Sequence, residues 1–268
     1  MGFRKNTELA LSGKANTDRQ FVKSLARGLE VLQAFQPDDR GLSNAELARR
    51  TRFPKATVSR LTFTLLALGF LRLDEETGRY LLHPHVLSLG YPVLRQLSIR
   101  EVARPLMQDL AELTRSAVAL GVRDGANMII VERSRHPSMM VVPIDIGVGR
   151  EIATTAMGRA YLAALTERER AGVLKELKSR NERRWPVLKR TIDEAISAYL
   201  RLGYTVSAGE WMSEYNAVGV PLRLVDGTVL AFNCGGASMR ISAKQLPELG
   251  ERLADMVGKL ERLQEVAP

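Results

Sequence analysis

Leu42-Ser43-Asn44-Ala45-Glu46-Leu47-Ala48-Arg49-Arg50-Thr51-Arg52-Phe53-Pro54-Lys55-Ala56-Thr57-Val58-Ser59-Arg60-Leu61 is the stretch that decides the architecture of the N-terminal third. The Ser43 hydroxyl can accept from the Glu46 amide while the Glu46 carboxylate reaches back to the Ser43 amide. That capping box starts a helix running to about Arg50. Thr51-Arg52-Phe53 is a short connection. Pro54 suits the first turn of the next helix, where its missing N–H costs nothing. That helix runs to about Leu68, and Gly69 stands where glycine is favoured just past a last turn. Two helices joined this closely form a helix-turn-helix.

Outward from this stretch the frame completes itself. Leu25, Leu29, Leu32 and Phe35 recur at helical spacing over residues 24–35, and Pro37-Asp38-Asp39-Arg40-Gly41 ends that helix with turn chemistry. On the other side, Phe70-Leu71-Arg72-Leu73 and Arg79-Tyr80-Leu81-Leu82 flank a polar turn ending in Gly78, which reads as a hairpin. Three helices followed by a hairpin make a winged helix.

Charge is distributed in the same way. The 268 residues carry 39 Lys and Arg against 30 Asp and Glu, a formal net charge of +9. Between Leu47 and Leu73 there are six basic residues and no acid. A basic face favours a polyanion, and a recognition helix needs small polar groups toward bases with cations at its edges toward phosphates. Lys55, Thr57, Ser59 and Arg60 supply that, while Val58, Leu61, Leu65 and Leu68 supply the core-facing stripe. Arg60 is the strongest candidate for a base edge, since a guanidinium can pair with guanine through two hydrogen bonds. Arg49, Arg50 and Arg52 are candidates for phosphates, Arg72 and Arg79 flank the wing, and Ser43 starts the first helix of the motif. The competing readings are solvated charges on a small helical domain, or a winged helix that serves protein contacts.

Beyond the wing, residues 86–115 read as helical, interrupted at Pro92 and Pro105. Strands are expected over 117–122, 128–132 and 139–144, helices over 155–165, 167–179 and 187–202, strands over 205–209, 217–225 and 229–234, and a closing amphipathic helix over 242–264. Asp226-Gly227 is a hairpin turn. Hairpins with helices outside them suggest an antiparallel-rich α/β sheet. No apolar run approaches the ~20 residues of a membrane span, and residues 1–20 lack an apolar leader core and read as a flexible arm. The single cysteine, Cys234, suits a reducing compartment. A cytoplasmic location is expected, with no membrane partner, no metal and no cofactor.

Leu42–Ala48, Phe53–Leu61 and Leu68-Gly69-Phe70-Leu71 together resemble the IclR family of transcription regulators. Ile152-Ala153-Thr154-Thr155-Ala156-Met157-Gly158-Arg159-Ala160 is similar to that family's effector-domain helix start. Arg201–Ser207 with Gly209-Glu210, and Asn216-Ala217-Val218-Gly219-Val220-Pro221, are similar to its later strands. The resemblance covers about residues 21–262. It departs at Asn233-Cys234-Gly235-Gly236-Ala237, where the family commonly has a serine-rich, Gly-Pro-like stretch.

The resemblance implies an α+β two-domain chain: a winged helix-turn-helix over 21–83, a linker helix over 84–103 and a GAF-like α/β effector-binding domain over 104–268. It implies a pocket between the sheet and a helix N-terminus. Thr154, Thr155, Ala156, Met157 and Gly158 would supply first-turn amides suited to an anion. Ser207, Asn216, Ala217, Asn233, Cys234 and Gly235 would face them from the strands. A small carboxylic or aromatic acid fits such a site. The alternative is that Thr155–Gly158 is simply a well-made helix start and Cys234 a buried small residue. The implied assembly is a homodimer, with pairing into tetramers, on a near-palindromic double-stranded DNA operator.

Catalysis is the competing class. No Gly-x-Ser-x-Gly elbow, His-Glu-x-x-His or phosphate loop is present, and Gly147-Val148-Gly149 lacks the context of a dinucleotide site. The three histidines, His83, His85 and His136, read as surface or linker residues. Cys234 would need a base beside it to act as a nucleophile. No catalytic residue is expected.

Overall fold

The computed structural model describes residues 20–139 and 145–266. The chain divides into two compact units between Leu97 and Ser98, inside the segment expected to be the linker.

In the first unit, α1 (Lys23–Gln33), α2 (Asn44–Thr51) and α3 (Lys55–Ala67) precede a hairpin of β1 (Leu71–Asp74) and β2 (Arg79–Leu82), paired from Leu71↔Leu82 to Asp74↔Arg79. The Ser43–Glu46 capping box is formed. Pro54 lies one residue earlier than expected, as the N-cap of α3 in an extended conformation. The α3 terminus is closed by Gly69 at φ +74°, with the Phe70 amide on the Leu65 carbonyl and the Gly69 amide on the Leu66 carbonyl. Those two bonds satisfy carbonyls the helix leaves open. Leu42 exchanges both backbone hydrogen bonds with Tyr80 at 2.8 Å, so the wing is tied to the chain just ahead of α2. Val31, Ala34, Leu42, Leu47, Val58, Leu65 and Leu71 form the core beneath.

A 3-10 turn at Pro84–Val86 leads into α4 (Leu87–Gln96), and α5 (Ile99–Thr114) opens the second unit. Pro92 and Pro105 do not interrupt these helices, contrary to expectation. Each sits in the second turn and forfeits one bond to a first-turn carbonyl, a loss the helix absorbs. The break falls instead at Leu97, which leaves helical geometry at ψ +64°.

The second unit is built on a six-stranded antiparallel sheet in the order β5-β4-β3-β8-β7-β6. Its strands are β3 (Ala117–Asp124), β4 (Asn127–Arg135), β5 (Gly149–Glu151), β6 (Thr205–Ala208), β7 (Tyr215–Arg223) and β8 (Val229–Ala237). The short edge strand β5 carries no alternating signal and was not expected. The strand expected over 139–144 lies, but for Met139, outside the described residues. One face of the sheet packs on α5 and on α9 (Leu246–Val266). The other packs on α6 (Ala156–Ala164), behind which α7 (Glu167–Arg180) and α8 (Trp185–Leu202) complete the layer.

Glycines bring α6 onto the sheet, and a bulge sets which way one edge faces. The first turn of α6 lies almost on the strands: a Cβ on Gly158 would stand 2.3 Å from the Ile152 Cα, and one on Gly219 would stand 2.4 Å from the Ala156 carbonyl oxygen. Glycine is required at both points. The bulge between Leu120 and Gly121 sets Leu120 opposite Glu132 while Gly121 stays opposite Ile130. The extra residue turns Glu132 to the α5 face, where its buried Oε2 accepts from Arg104 at 2.8 Å and Arg100 at 3.1 Å.

Candidate functional site

The two helices of the first unit present a graded surface. On α3, Val58, Thr62 and Leu65 are buried, whereas Lys55, Ser59, Arg60, Phe63 and Thr64 are exposed and Thr57 is half-buried. Arg49, Lys55, Arg60 and Arg72 are exposed and make no ion pair among the described residues. Arg52 is exposed at the end of α2, in the left-handed region at φ +59°. These groups share the first unit with the helix-turn-helix and leave a polyanion the charge it needs.

Three other expected contacts are engaged inside the domain. The Ser43 hydroxyl accepts from the Glu46 amide at 3.2 Å and donates to the Glu46 carboxylate at 2.8 Å. Arg79 donates to that same carboxylate at 3.0 Å and to the Gly41 carbonyl at 2.8 Å, locking the wing to α2. The bonds from Ser43, reinforced by Arg79, hold the Glu46 carboxyl below the usual range. Arg50 pairs with both oxygens of Asp39, at 2.7 Å through Nη2, and donates to the Ala34 carbonyl at 2.9 Å. Its guanidinium holds the Asp39 carboxyl below the ordinary value. Asn44 was not expected to matter. Its amide nitrogen donates to Ser59 Oγ at 2.6 Å and fixes α3 against the start of α2.

In the second unit a cavity lies between the sheet and the first turn of α6. Ile130, Arg150, Thr155, Ala156, Met157, Ser207, Trp211, Tyr215, Ala217 and Asn233 line it. Its empty space is about 390 Å³, of which about 30 Å³ can take the centre of a water molecule. Thr155 caps α6 by accepting from the Gly158 amide at 3.2 Å, and the Ala156 and Met157 amides have no intrahelical acceptor. Arg159, almost fully buried, clamps the surrounding loops. It donates to the Ala153 carbonyl at 3.1 Å, the Val206 carbonyl at 3.2 Å and both carboxylate oxygens of Glu210, the nearer at 2.5 Å. Glu210 precedes Trp211, so the clamp holds the loop that brings the indole over the cavity.

Arg150 is the unusual group. Its guanidinium lies 4.7 Å from the centroid of the Trp211 ring and donates to the Gly149 carbonyl at 3.2 Å, with no carboxylate beside it among the described residues. Its Nε is buried without a hydrogen-bond partner, as are Tyr215 Oη and Asn233 Oδ1. Burial pushes the Arg150 pKa down and the Tyr215 pKa up, so the phenol stays neutral. A cation and two polar atoms without partners surround one mostly apolar space, a combination that can accept a small anion.

The residues 91–262 match the family model for the bacterial transcriptional regulator IclR C-terminal domain, and 24–75 match that for the IclR helix-turn-helix domain. This chain belongs to the IclR family. The HTH-type transcriptional regulator TsaQ1/TsaQ2 of Comamonas testosteroni is 32% identical over 244 residues, 90% of this chain and 87% of that protein. The crystal structure of an IclR family transcriptional regulator from Brucella abortus is 42% identical, covers 94% of this chain and 96% of its own, and superposes with a TM-score of 0.77. An IclR homologue from Microbacterium hydrocarbonoxydans, complexed with 4-hydroxybenzoate, shares the fold at a TM-score of 0.68 and 20% identity, covering 90% of this chain and all of that one. The protein is thus an IclR-family transcriptional regulator with an N-terminal DNA-binding helix-turn-helix, and its family is one of regulators, not enzymes. No helix among the described residues is long and apolar enough to cross a membrane.

Of the eleven pocket residues expected of this IclR chain, Thr155, Ala156, Met157, Ser207, Ala217 and Asn233 line the cavity; Thr154, Gly158, Asn216, Cys234 and Gly235 do not. Strand alternation explains two of these. Asn216 and Cys234 face the other side of the sheet, where Asn216 donates to the Ile241 carbonyl at 2.8 Å and Cys234 lies 2.9 Å from Ser116 Oγ. Burial pushes the Cys234 thiol up to about 11, and its hydrogen-bonding neighbours among the described residues are the hydroxyls of Ser116 and Thr114. The Thr154 carbonyl serves by accepting from Ser207 at 2.9 Å. Ile130, Arg150, Trp211 and Tyr215 were missed. Arg150 sits on the unexpected strand β5 and Trp211 in a loop far along the chain, so no local sequence signal marked them.

Proposed function

We propose that this regulator binds a near-palindromic operator as a homodimer, that a small carboxylic or aromatic acid in the cavity sets its hold on DNA, and that it acts in the cytoplasm. The observation carrying the sensor half is Arg150, a half-buried guanidinium in the cavity with no anionic partner among the described residues. Carboxylate binding there would restore the charge balance that burial has upset. The 4-hydroxybenzoate bound to the Microbacterium homologue supports an acid of this size. Arg60, with Lys55, Thr57 and Ser59, is the base-reading set, and Arg49, Arg52 and Arg72 hold phosphates. We assign residues 21–83 to the DNA-binding domain, 84–103 to the linker and the remainder to the sensor. Two apolar faces in the first unit support pairing: Leu25 and Leu29 on α1, and Leu87 and Tyr91 on α4, each more than 45% exposed.

The test is thermal unfolding of the full chain against benzoate and short-chain carboxylic acids, followed by affinity for a duplex selected from random DNA. An acid should raise the midpoint in the wild type and not in Arg150→Met, and the same acid should change DNA affinity. An acid that stabilises the protein yet leaves DNA affinity unchanged sinks the coupling.

A further inference from the structure

Resting on the reading of α3 as the helix that enters the major groove, we infer that Phe63 is a further specificity residue, one that reads the 5-methyl group of a thymine close to the base pair met by Arg60. Ala56, Ser59, Arg60 and Phe63 recur at i, i+3, i+4 and i+7, so they share one face of α3, and all four are exposed. Val58, Thr62 and Leu65, the buried residues of the helix, recur in the same way on the opposite face. Phe63 therefore lies outside the core by position. It is 73% exposed, more than any other aromatic side chain among the described residues.

The surroundings of the ring decide its partner. Phe63 borders a recess whose lining carries two guanidinia, from Arg27 and Arg60, and four hydroxyls, from Ser24, Thr57, Ser59 and Thr64, with no carboxylate among the described residues. Arg27 rests 5.4 Å from the centroid of the Phe53 ring and makes no ion pair among those residues. An apolar partner surface would leave both cations without an anion. A duplex offers phosphates to the guanidinia and a methyl group to the ring. Thymine is the base that presents a methyl group in the major groove, and phenylalanine is one of the side chains suited to it. Three residues of helix advance about 4.5 Å against about 3.4 Å per base-pair step, so the thymine falls roughly one or two base pairs from the guanine that Arg60 would pair with. Two of the neighbouring hydroxyls are already engaged: Ser59 accepts from the Asn44 amide nitrogen at 2.6 Å and Thr64 donates to the Arg60 carbonyl at 3.0 Å. The ring is the bulkiest group on this face and has no hydrogen bond to lose on entering a groove.

Deoxyuridine differs from thymidine only by that methyl group. A duplex is selected from random DNA with the full-length protein, and each of its thymines is then replaced in turn by deoxyuridine, with affinity measured at fixed salt. One thymine per half-site should respond with a loss of about fourfold, the worth of one buried methyl group. The slope of log affinity against log salt should not change, since no phosphate contact is touched. In Phe63→Ala the same replacement should have no effect, because the cycle isolates the contact between ring and methyl. Replacements that are neutral at every thymine, in a duplex whose binding still depends on Arg60, overturn the role of Phe63 and leave the α3 reading standing. A methyl effect that persists in Phe63→Ala does the same, and sedimentation of that variant as a smaller species would then place the ring between two copies of the chain. A protein that selects no sequence removes α3 as a base reader, and Phe63 with it. Should Phe63→Ala fail to fold, the deoxyuridine scan on the wild-type protein decides alone.

Discussion

The DNA-binding unit and the cavity hold positive charge in opposite ways. On α3, Arg60 is exposed and makes no ion pair among the described residues. At the cavity, Arg150 is half-buried and rests on an indole. The first arrangement suits a polyanion: each contact is modest, screened by salt, and gains from released counterions. The second suits one small anion, because part of the desolvation cost is already met on folding and attraction is stronger where water is excluded. A third set, Arg50, Arg79 and Arg159, pairs with carboxylates inside its own unit.

The sharpest way to break this division is to remove a committed arginine. Arg159→Met strips the clamp from the Ala153 and Val206 carbonyls and from Glu210. Loss of one partner of a buried pair is costly, but Glu210 is 37% exposed and regains water. The expected destabilisation is about 2–3 kcal/mol, read by denaturant unfolding. A change within about 0.5 kcal/mol, as at an ordinary surface site, would show that the clamp is incidental.

The next contrast pits Arg60 against Arg50. Arg60→Ala should weaken operator binding by about 1–3 kcal/mol and leave stability nearly unchanged. Arg50→Ala should do the reverse, costing about 1 kcal/mol of stability through Asp39 and the Ala34 carbonyl with little effect on DNA. Equal losses of operator affinity in the two variants would return Arg50 to the DNA surface. A smaller effect is expected at Arg49. Arg49→Ala should reduce the slope of log affinity against log salt by about one, uniformly across sequences, and an unchanged slope would remove it from the phosphate set.

How much the sequence disclosed depended on the range of each signal. The helix-turn-helix was legible because its signals are local: a capping box four residues long, Pro54 at a helix start, Gly69 at a helix end. Most helix and strand positions of the second unit emerged from periodicity in the same way. The two prolines misled because a second-turn proline resembles a helix breaker in sequence. Within the pocket, Thr155, Ala156 and Met157 were legible as a helix start, whereas Asn216 and Cys234 required knowing which way each strand faces. Arg150 and Trp211 meet only through tertiary structure, and the fates of Arg50 and Arg60 depend on whether a carboxylate lies nearby, which spacing does not reveal.

The smallest expected effect tests the committed set by pH. Asp39 has a folded pKa depressed below its ordinary 3.8, first through the hydrogen bond from Arg50. A depressed acid contributes stability that is fully present above its unfolded pKa and is lost as the pH falls through the folded value. The stability difference between the wild type and Asp39→Asn should therefore be constant near neutrality and shrink below about pH 4. Arg150 has no carboxylate beside it among the described residues, so the difference between the wild type and Arg150→Met should show no matching decline in that range when no acid is bound. Urea unfolding of all three proteins from neutral pH down to about pH 3 reads both curves. A parallel decline for Arg150→Met would mean that a carboxylate neutralises the cavity cation in the free protein, and the distinction between committed and waiting charge would fail at its central case.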